Sequence, residues 1–407
     1  MTANWKPVDE LFFAEWKSRE PGASRSLNRA SLVAENLGIA DLSIPVLSVV
    51  GSKGKGTAST YASATLAGSG LTTVTVTSPP LIENNERIRL NGTQISDKTL
   101  EILGREIRSA ADRVKSSGDG YLSPTGSYTI AGALFASQIG ADALILEEGL
   151  GGSSDEISLF SPLVVAATEI FLEHQDLLGG NIKEIASDLL GVAGRNTEVV
   201  YSVQQSVEVE EILASLNTRV SVNQFPPAEI LQFLNWPRGL SRLNAILGVS
   251  SGLEFLKLLD KPLISEGIIH TINSVQMLGR LSSHLSDRGS NWVVDGAING
   301  KGVFEAVRQC KEMMGPPDLV LASFPDSKNV RECYEALAGL NVVPVSVGET
   351  YLDYKSNYHP QKPVHFHSVV ERFEDDYKCI LAVGTMSFVG EVVGYLHGDN
   401  SVAFSLK

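Results

Sequence analysis

The sequence predicts an α/β protein of two units: a first unit with a mainly parallel sheet that carries a phosphate-binding loop, and a second, smaller α/β unit. Three observations predict it. Short apolar runs of strand length alternate with longer segments of helical pattern along the chain. One of those runs, Val46–Val50, leads into a glycine-rich turn and then an alanine-rich, proline-free segment. The rhythm loosens once, around Leu259–Gly279, before strands and helices resume. The division is placed at 274/275, giving units 1–274 and 275–407.

Pro7 to Leu42 is polar with a helical period, placing Leu11, Phe12, Phe13 and Trp16 on one face, so it reads as a helical lead-in to the first strand. The turn after that strand reads Gly-Ser-Lys-Gly-Lys-Gly-Thr from Gly51 to Thr57. Glycines let backbone N–H groups face inward around an anion, Lys55 adds a cation, and Thr57 places a hydroxyl where a magnesium ligand is wanted. The following helix, Ala58 to Leu66, points its positive end at the same place. A strict Walker A motif needs glycine at Val49, so a shortened pattern, with Gly51, Gly54 and Gly56, carries the reading.

Downstream, Leu71–Thr77 alternates as a strand does and is broken by Ser78, Pro79 and Pro80; Glu83–Arg89 then reads as a polar loop at the ligand-binding end of the sheet. Leu100–Val114 is an amphipathic helix, Ser116–Ser123 a Ser/Gly-rich loop, and Tyr128–Ser137 a helix. The apolar strand Ala143–Leu146 delivers Glu147 and Glu148 into a second glycine turn, Gly149 to Gly152. Acids there suit Mg²⁺, which takes one or two carboxylates and shares a nucleotide's oxygens. Strand Pro162–Thr168 runs towards Glu173, His174 and Asp176. Helix Asn181–Leu190, strand Glu198–Val203 and helix Leu240–Leu259 follow. In the second unit, strands are expected at 292–295, 318–322, 342–347 and 379–383, and helices at 303–314, 330–337 and 386–396. Its turn Asp295–Gly300 lacks the spacing of a dinucleotide site. His359, His365 and His367 are expected to be solvated on a polar edge strand.

Composition narrows the class. The 407 residues carry a formal charge of −14, against a nucleic-acid binder, which needs a basic face. No apolar run approaches a membrane span. Three cysteines without a CxxC pair read as reduced packing residues, and the opening Met1–Lys6 has no basic stretch ahead of an apolar core; a cytoplasmic enzyme is the expectation.

Several landmarks, in this order, resemble the folylpolyglutamate synthase and dihydrofolate synthase group of the Mur ligase superfamily. They are GSKGKGT at Gly51–Thr57, TSPPL with NERIRLNG from Thr77 to Gly92, LEEGLGG at Leu146–Gly152, EHQDLLG at Glu173–Gly179, Asn244, LGR at Leu278–Arg280, DGAIN at Asp295–Asn299 and GTMSFVGEV at Gly384–Val392. The resemblance implies an N-terminal P-loop Mur-ligase-like ATPase domain and a C-terminal Rossmann-like domain. It implies ATP and Mg²⁺ as cofactors, and a small-molecule carboxylic acid and an amine or amino acid as substrates, joined through an acyl phosphate. Gly51, Gly54, Lys55, Gly56 and Thr57 would hold the phosphates; Thr57, Ser78 and Glu147 the first Mg²⁺; and His174 a second. Asn244 would meet the adenine, Arg280 the phosphates and Asp295 the ribose side. Lys55, Glu147 and His174 form the catalytic set.

The sequence departs from the family pattern at Leu189, where a carbamylated lysine shares the second metal; either Asp188 or Asp176 substitutes, or the second Mg²⁺ is held loosely by His174 and substrate oxygens. It departs also at Ile298 and Gly300 of the Asp-Gly-Ala-His-Asn-Pro motif, at Leu240 and Ser241 before Asn244, at Pro80, and at Ser153 in an arginine's place. The ATP half is largely intact and the second-metal and substrate-facing positions are altered. Three outcomes stand open: a ligase with a folate or a different acid, a nucleotide-binding homologue that no longer ligates and serves a protein partner, and a simple kinase or NTPase.

Overall fold

The structure, a computed structural model, describes residues 5–114, 120–348, 352–373 and 376–407. Residues 1–4 of the opening segment and 116–119 of the expected Ser/Gly-rich loop lie outside the described residues. From Gly120 the chain is described again, and Ser123 caps the helix Pro124–Ile139 by accepting the Gly126 N–H at 2.8 Å.

Fourteen strands form two sheets among the described residues. In the first unit these are β1 (Val46–Val50), β2 (Thr73–Val76), β3 (Ile88–Leu90), β4 (Thr93–Gln94), β5 (Ala143–Glu147), β6 (Val164–Ala167), β7 (Val199–Ser202) and β8 (Arg219–Val222). They lie in the order β4-β3-β2-β5-β1-β6-β7-β8. All neighbours are parallel except β3, which is antiparallel to β2 and β4. The central strands are buried throughout, as a sheet covered on both faces requires. One face packs under the helices Asp9–Ser18, Leu27–Asn36, Asp97–Arg113 and Pro124–Ile139, where Phe12 stacks on Tyr128 at 4.2 Å between centroids. The other packs under Lys55–Gly68, Ser241–Leu258 and Ser265–Asn273. The first two of these are rich in Ala, Ser and Gly, so their backbones approach closely.

Register decides where the chemistry gathers. Val49 pairs with Glu147, Val50 with Ala167 and Val76 with Leu146. The parallel strands therefore end together, and the turns after β1, β2, β5 and β6 emerge side by side at one edge, as ligand-binding turns do in such sheets.

The second unit has β9 (Ser282–Leu285), β10 (Asn291–Asp295), β11 (Leu319–Ser323), β12 (Val342–Ser346), β13 (Val364–His365) and β14 (Cys379–Gly384), in the order β13-β12-β11-β14-β10-β9. Only β9 is antiparallel to its neighbour. Its core holds fully buried Trp292, Phe324, Phe366 and Phe388, and all three cysteines are buried and free.

Several sequence expectations change. Glu83–Arg89 is no open polar loop: Asn84–Arg87 is a buried 3-10 turn running into β3. Its polarity is consumed internally, since the Glu86 carboxylate accepts the N–H groups of Leu81, Ile82 and Glu83 at 2.9, 3.0 and 3.0 Å. Strands β8 and β9 and the helix Val207–Ser215 had no sequence signal strong enough to read, because edge strands and surface helices are only half apolar. His365 and His367 are exposed, but His359 is not solvated: its ring lies buried beside Tyr334, with Nδ1 3.1 Å from the hydroxyl.

The closing residues of the expected unit 275–407 pack on the first unit, where Gln94 N–H donates to Ser401 O and Ala403 N–H to Gly92 O, each at 2.8 Å. Phe404 is buried in the first unit's core. We expect Phe404→Ala to lower stability by about 3 to 5 kcal/mol, read by chemical denaturation, because it empties a ring-sized volume at the seam of the tail.

Candidate active site

The site begins with a loop that only glycine can build. Gly51 has φ +128°, and a Cβ there would lie 2.2 Å from Thr168 Oγ1; Gly54 has φ +95°, and its Cβ would lie 2.0 Å from Asn244 Nδ2. The loop is pinned on one side by β6's turn. Ser52 N–H donates to Glu169 O at 3.0 Å, and the Ser52 hydroxyl accepts the Phe171 N–H at 3.0 Å. Gly54 precedes the helix Lys55–Gly68, so the first-turn N–H groups and the helix's positive end face the loop. Thr57 is buried in that first turn.

Lys55 folds back over the loop, its Nζ 2.5 Å from Gly51 O and 3.3 Å from Glu148 Oε1. Burial opposes its charge, but Glu148, Glu147 and Glu173 outweigh it and hold the ammonium pKa above the ordinary lysine value. The two acids at the end of β5 are buried beside this single cation. Burial pushes both carboxyls up to about 7, against the pull of Lys55. Glu147 Oε2 accepts the Ser78 N–H at 3.0 Å, and Glu148 Oε2 accepts the Gly51 N–H at 3.1 Å. Glu148 thus braces the loop, a role its sequence position beside Glu147 did not distinguish.

Ser78 and Glu147 come together as expected positions of one site, and Thr57 follows directly on Gly56, where an added Cβ would sit 3.5 Å from Glu147 Oε2. Two hydroxyls and a carboxylate, all hard oxygen donors beside a phosphate loop, fit Mg²⁺ shared with a nucleotide. Beneath Ser78 lies a residue to which the sequence motif assigned no role. Arg87 is buried, donates to Ser78 Oγ at 3.1 Å and Asn84 Oδ1 at 2.9 Å, and stacks over the Tyr128 ring at 4.8 Å. Among the described residues no carboxylate lies within ion-pair distance of it, and burial lowers its pKa from the ordinary arginine value. Its motif was visible; its lack of an anionic partner was not.

The second unit closes over this edge. A narrow cavity of about 100 Å³ is lined by Ser78, Pro80 and Glu147 from one side and Arg280 and Met386 from the other. Arg280 Nη1 lies 3.0 Å from the Met386 sulfur. Asp295 accepts the Leu281 N–H at 2.9 Å, with burial raising its pKa. Asn244 lies against Gly54 and donates to Leu240 O at 3.3 Å.

The second-metal expectation does not assemble. His174 is 44% exposed at the side chain, and its nearest carboxylate is Glu173 at 4.0 Å. Leu189 is buried in the core. Asp188 cannot substitute, because both its oxygens are engaged in the second glycine turn: they accept from Ser153 Oγ at 2.7 Å, Ser154 Oγ at 2.9 Å, and the N–H groups of Gly152 and Ser154 at 3.1 Å. Asp176 is exposed. Among the described residues no three His, Cys, Asp or Glu side chains group as a metal site, so the donors present do not fit a second ion of that kind.

The fold and this edge define a class, a phosphate-loop α/β unit capped by a second α/β unit whose arginine reaches the loop. Known proteins narrow it. The chain is 29% identical to a dihydrofolate synthase/folylpolyglutamate synthase of Bacillus subtilis over 192 residues, 47% of this chain and 45% of that protein. It is 33% identical to a folylpolyglutamate synthase of Lacticaseibacillus casei over 153 residues, 37% of this chain and 36% of that one. The matched stretches thus span less than half of these curated relatives. The fold matches the apo form of the L. casei enzyme at TM-score 0.81 and 21% identity, over 97% of this chain and 100% of that chain. It also matches a Mycobacterium tuberculosis folylpolyglutamate synthase complexed with ADP at TM-score 0.79 and 20% identity, over 96% and 98%. No family model matches the chain. The chain is thus similar in sequence to folylpolyglutamate and dihydrofolate synthases, and its fold is that of solved folylpolyglutamate synthases.

The raised carboxyl of Glu148 has a measurable sign. Its folded pKa near 7 exceeds its ordinary value of 4.5, so its contribution to stability is full below about pH 4.5 and is lost as pH rises through 7. Glu148→Gln keeps an acceptor for Gly51 but carries no such proton. The ligand-free wild type should therefore lose more stability than Glu148→Gln between pH 5 and 7.5, measured by urea denaturation at both values.

Proposed function

We propose that the chain is an ATP-dependent ligase that joins a carboxylic acid to an amine through an acyl phosphate, with folate-type acids and glutamate as the first substrate class to test. The observation that carries this reading is the convergence of Lys55, Ser78 and Glu147 on one edge, with Arg280 delivered to it from the second unit.

A carboxylate is a poor electrophile, so it must be activated before an amine attacks it. In this reading the terminal phosphoryl of ATP passes to the acid, the amine nitrogen attacks the acyl carbon, and phosphate leaves. Lys55 and the N–H groups of the loop hold the phosphates and offset charge developing on the transferring group. Thr57, Ser78 and Glu147 would hold Mg²⁺, which supplies further charge neutralisation when bound. Arg87, buried and with no carboxylate at ion-pair distance among the described residues, is suited to an incoming anion next to Ser78. Arg280 and the wall around Met386 narrow the cavity, which excludes water that would hydrolyse an acyl phosphate. Glu147, with a pKa near 7, is suited to release its proton when a cation arrives. His174, exposed and without metal partners, has no step here. The place of action in this reading is the cytoplasm.

The names of the relatives support a folate-type acid, and the altered residues Ser153, Ile298 and Gly300 favour screening beyond it. The test is incubation with MgATP, a panel of pterin and non-pterin acids, and amino acids, following ADP and amide together. Matched formation of both is the expected result, and Lys55→Ala should lower kcat/KM by about 10² to 10³. ADP without amide across the panel would sink the ligase reading. Binding of ATP with no turnover under any pair would favour a non-ligating homologue that acts with a protein partner.

A further inference from the structure

Lys53 is given no step in the reading above, yet its side chain bridges the two units. It sits between Gly51 and Gly54, and the adjacent Ser52 is tied to the turn after β6, so the loop backbone has little freedom there. Its side chain leaves the loop in the other direction. Nζ donates to Gly296 O at 2.9 Å, which links the phosphate loop to the turn Asp295–Gly300 of the second unit.

That turn leads on to Arg280. Gly296 N–H donates to Gly279 O at 2.9 Å, and any side chain at 296 would place its Cβ 2.2 Å from Arg280 Nη1. The arginine therefore rests on the same peptide that the lysine grips. Burial, with Arg280, Lys328 and Lys55 nearby, lowers the pKa of Lys53 to about 7, and only Asp295 opposes them. Charged or neutral, the amine can donate to Gly296 O, so the bridge between the units does not depend on its protonation state.

We propose that Lys53 is a positioning residue, coupling occupancy of the phosphate loop by nucleotide to the placement of the Asp295–Gly300 turn and, through it, of Arg280. When phosphates order the loop, the grip on Gly296 is ordered with it, and the second unit's arginine is held at the reacting edge. The proposal rests on the reading that this loop takes a nucleotide.

The experiment is hydrogen exchange of the segment 291–300 in the full chain, with and without a non-hydrolysable ATP analogue and Mg²⁺, beside calorimetric affinities for the same analogue. In the wild type and Lys53→Arg the analogue should slow exchange by about tenfold, a coupling of ordinary size. In Lys53→Met, and in Lys53→Gln should the first not fold, the slowing should fall below about twofold while affinity stays within about threefold. Wild-type slowing in both neutral variants would overturn the proposal. So would a collapse of nucleotide affinity with ligand-free exchange of the turn unchanged, which would make Lys53 a phosphate ligand instead. Absence of any heat of binding in the wild type would overturn the nucleotide reading itself, and this proposal with it.

Discussion

A buried lysine beside two buried acids sets the terms for the active edge. Lys55 lies over the loop that follows β1, and Glu147 and Glu148 reach it from the end of β5. Burial pushes both carboxyls up to about 7 against the pull of Lys55, so the pair is poised to gain or lose protons near neutral pH. An edge in that state is prepared for a further cation and for the phosphates that accompany it. The glycines, the hydroxyls of Thr57 and Ser78 and the positive end of the helix Lys55–Gly68 are arranged around that lysine and its acids.

The sheet makes this arrangement possible. Parallel strands in matched register end together, so residues a hundred positions apart, such as Gly51 and Glu148, come within hydrogen-bond distance without any long connection crossing the site. The second unit then supplies what the first lacks. Arg280 and the Asp295–Gly300 turn bring positive charge and cover to the open side, and Lys53 joins that cover to the loop. The C-terminal tail, packed against β4 and the first unit's core, further ties the two units together.

The departures from the family pattern now have a physical interpretation. Leu189 is part of a dry core, and Asp188 beside it is fully spent on Gly152, Ser153 and Ser154. The position at which the resemblance led to a metal-sharing lysine is packing here, and the neighbouring turn has its own carboxylate brace. Glu148 and Lys53 brace the loop from two sides, the acid accepting the Gly51 N–H and the lysine donating to Gly296 O.

Much of this was legible in the chain itself. Periodicity located the central strands and their helices, because strands buried on both faces are continuously apolar, and Gly51–Thr57 announced its loop through residue types that few other turns need. Among the elements that escaped were β8, β9 and the helix Val207–Ser215, which are half solvated and so carry a diluted pattern. Charge balance was not legible at all. That Arg87 is buried with no carboxylate at ion-pair distance among the described residues, that Asp188 is saturated and that His359 is dry depend on which groups meet across tens to hundreds of residues of chain, and linear spacing does not encode such meetings. Local sequence by itself determined the phosphate loop and the α/β alternation, since backbone sterics and hydrophobic period act over a few residues. Tertiary structure alone decided which ionisable groups share one dry space, because their pKa values and partners follow from burial and distance.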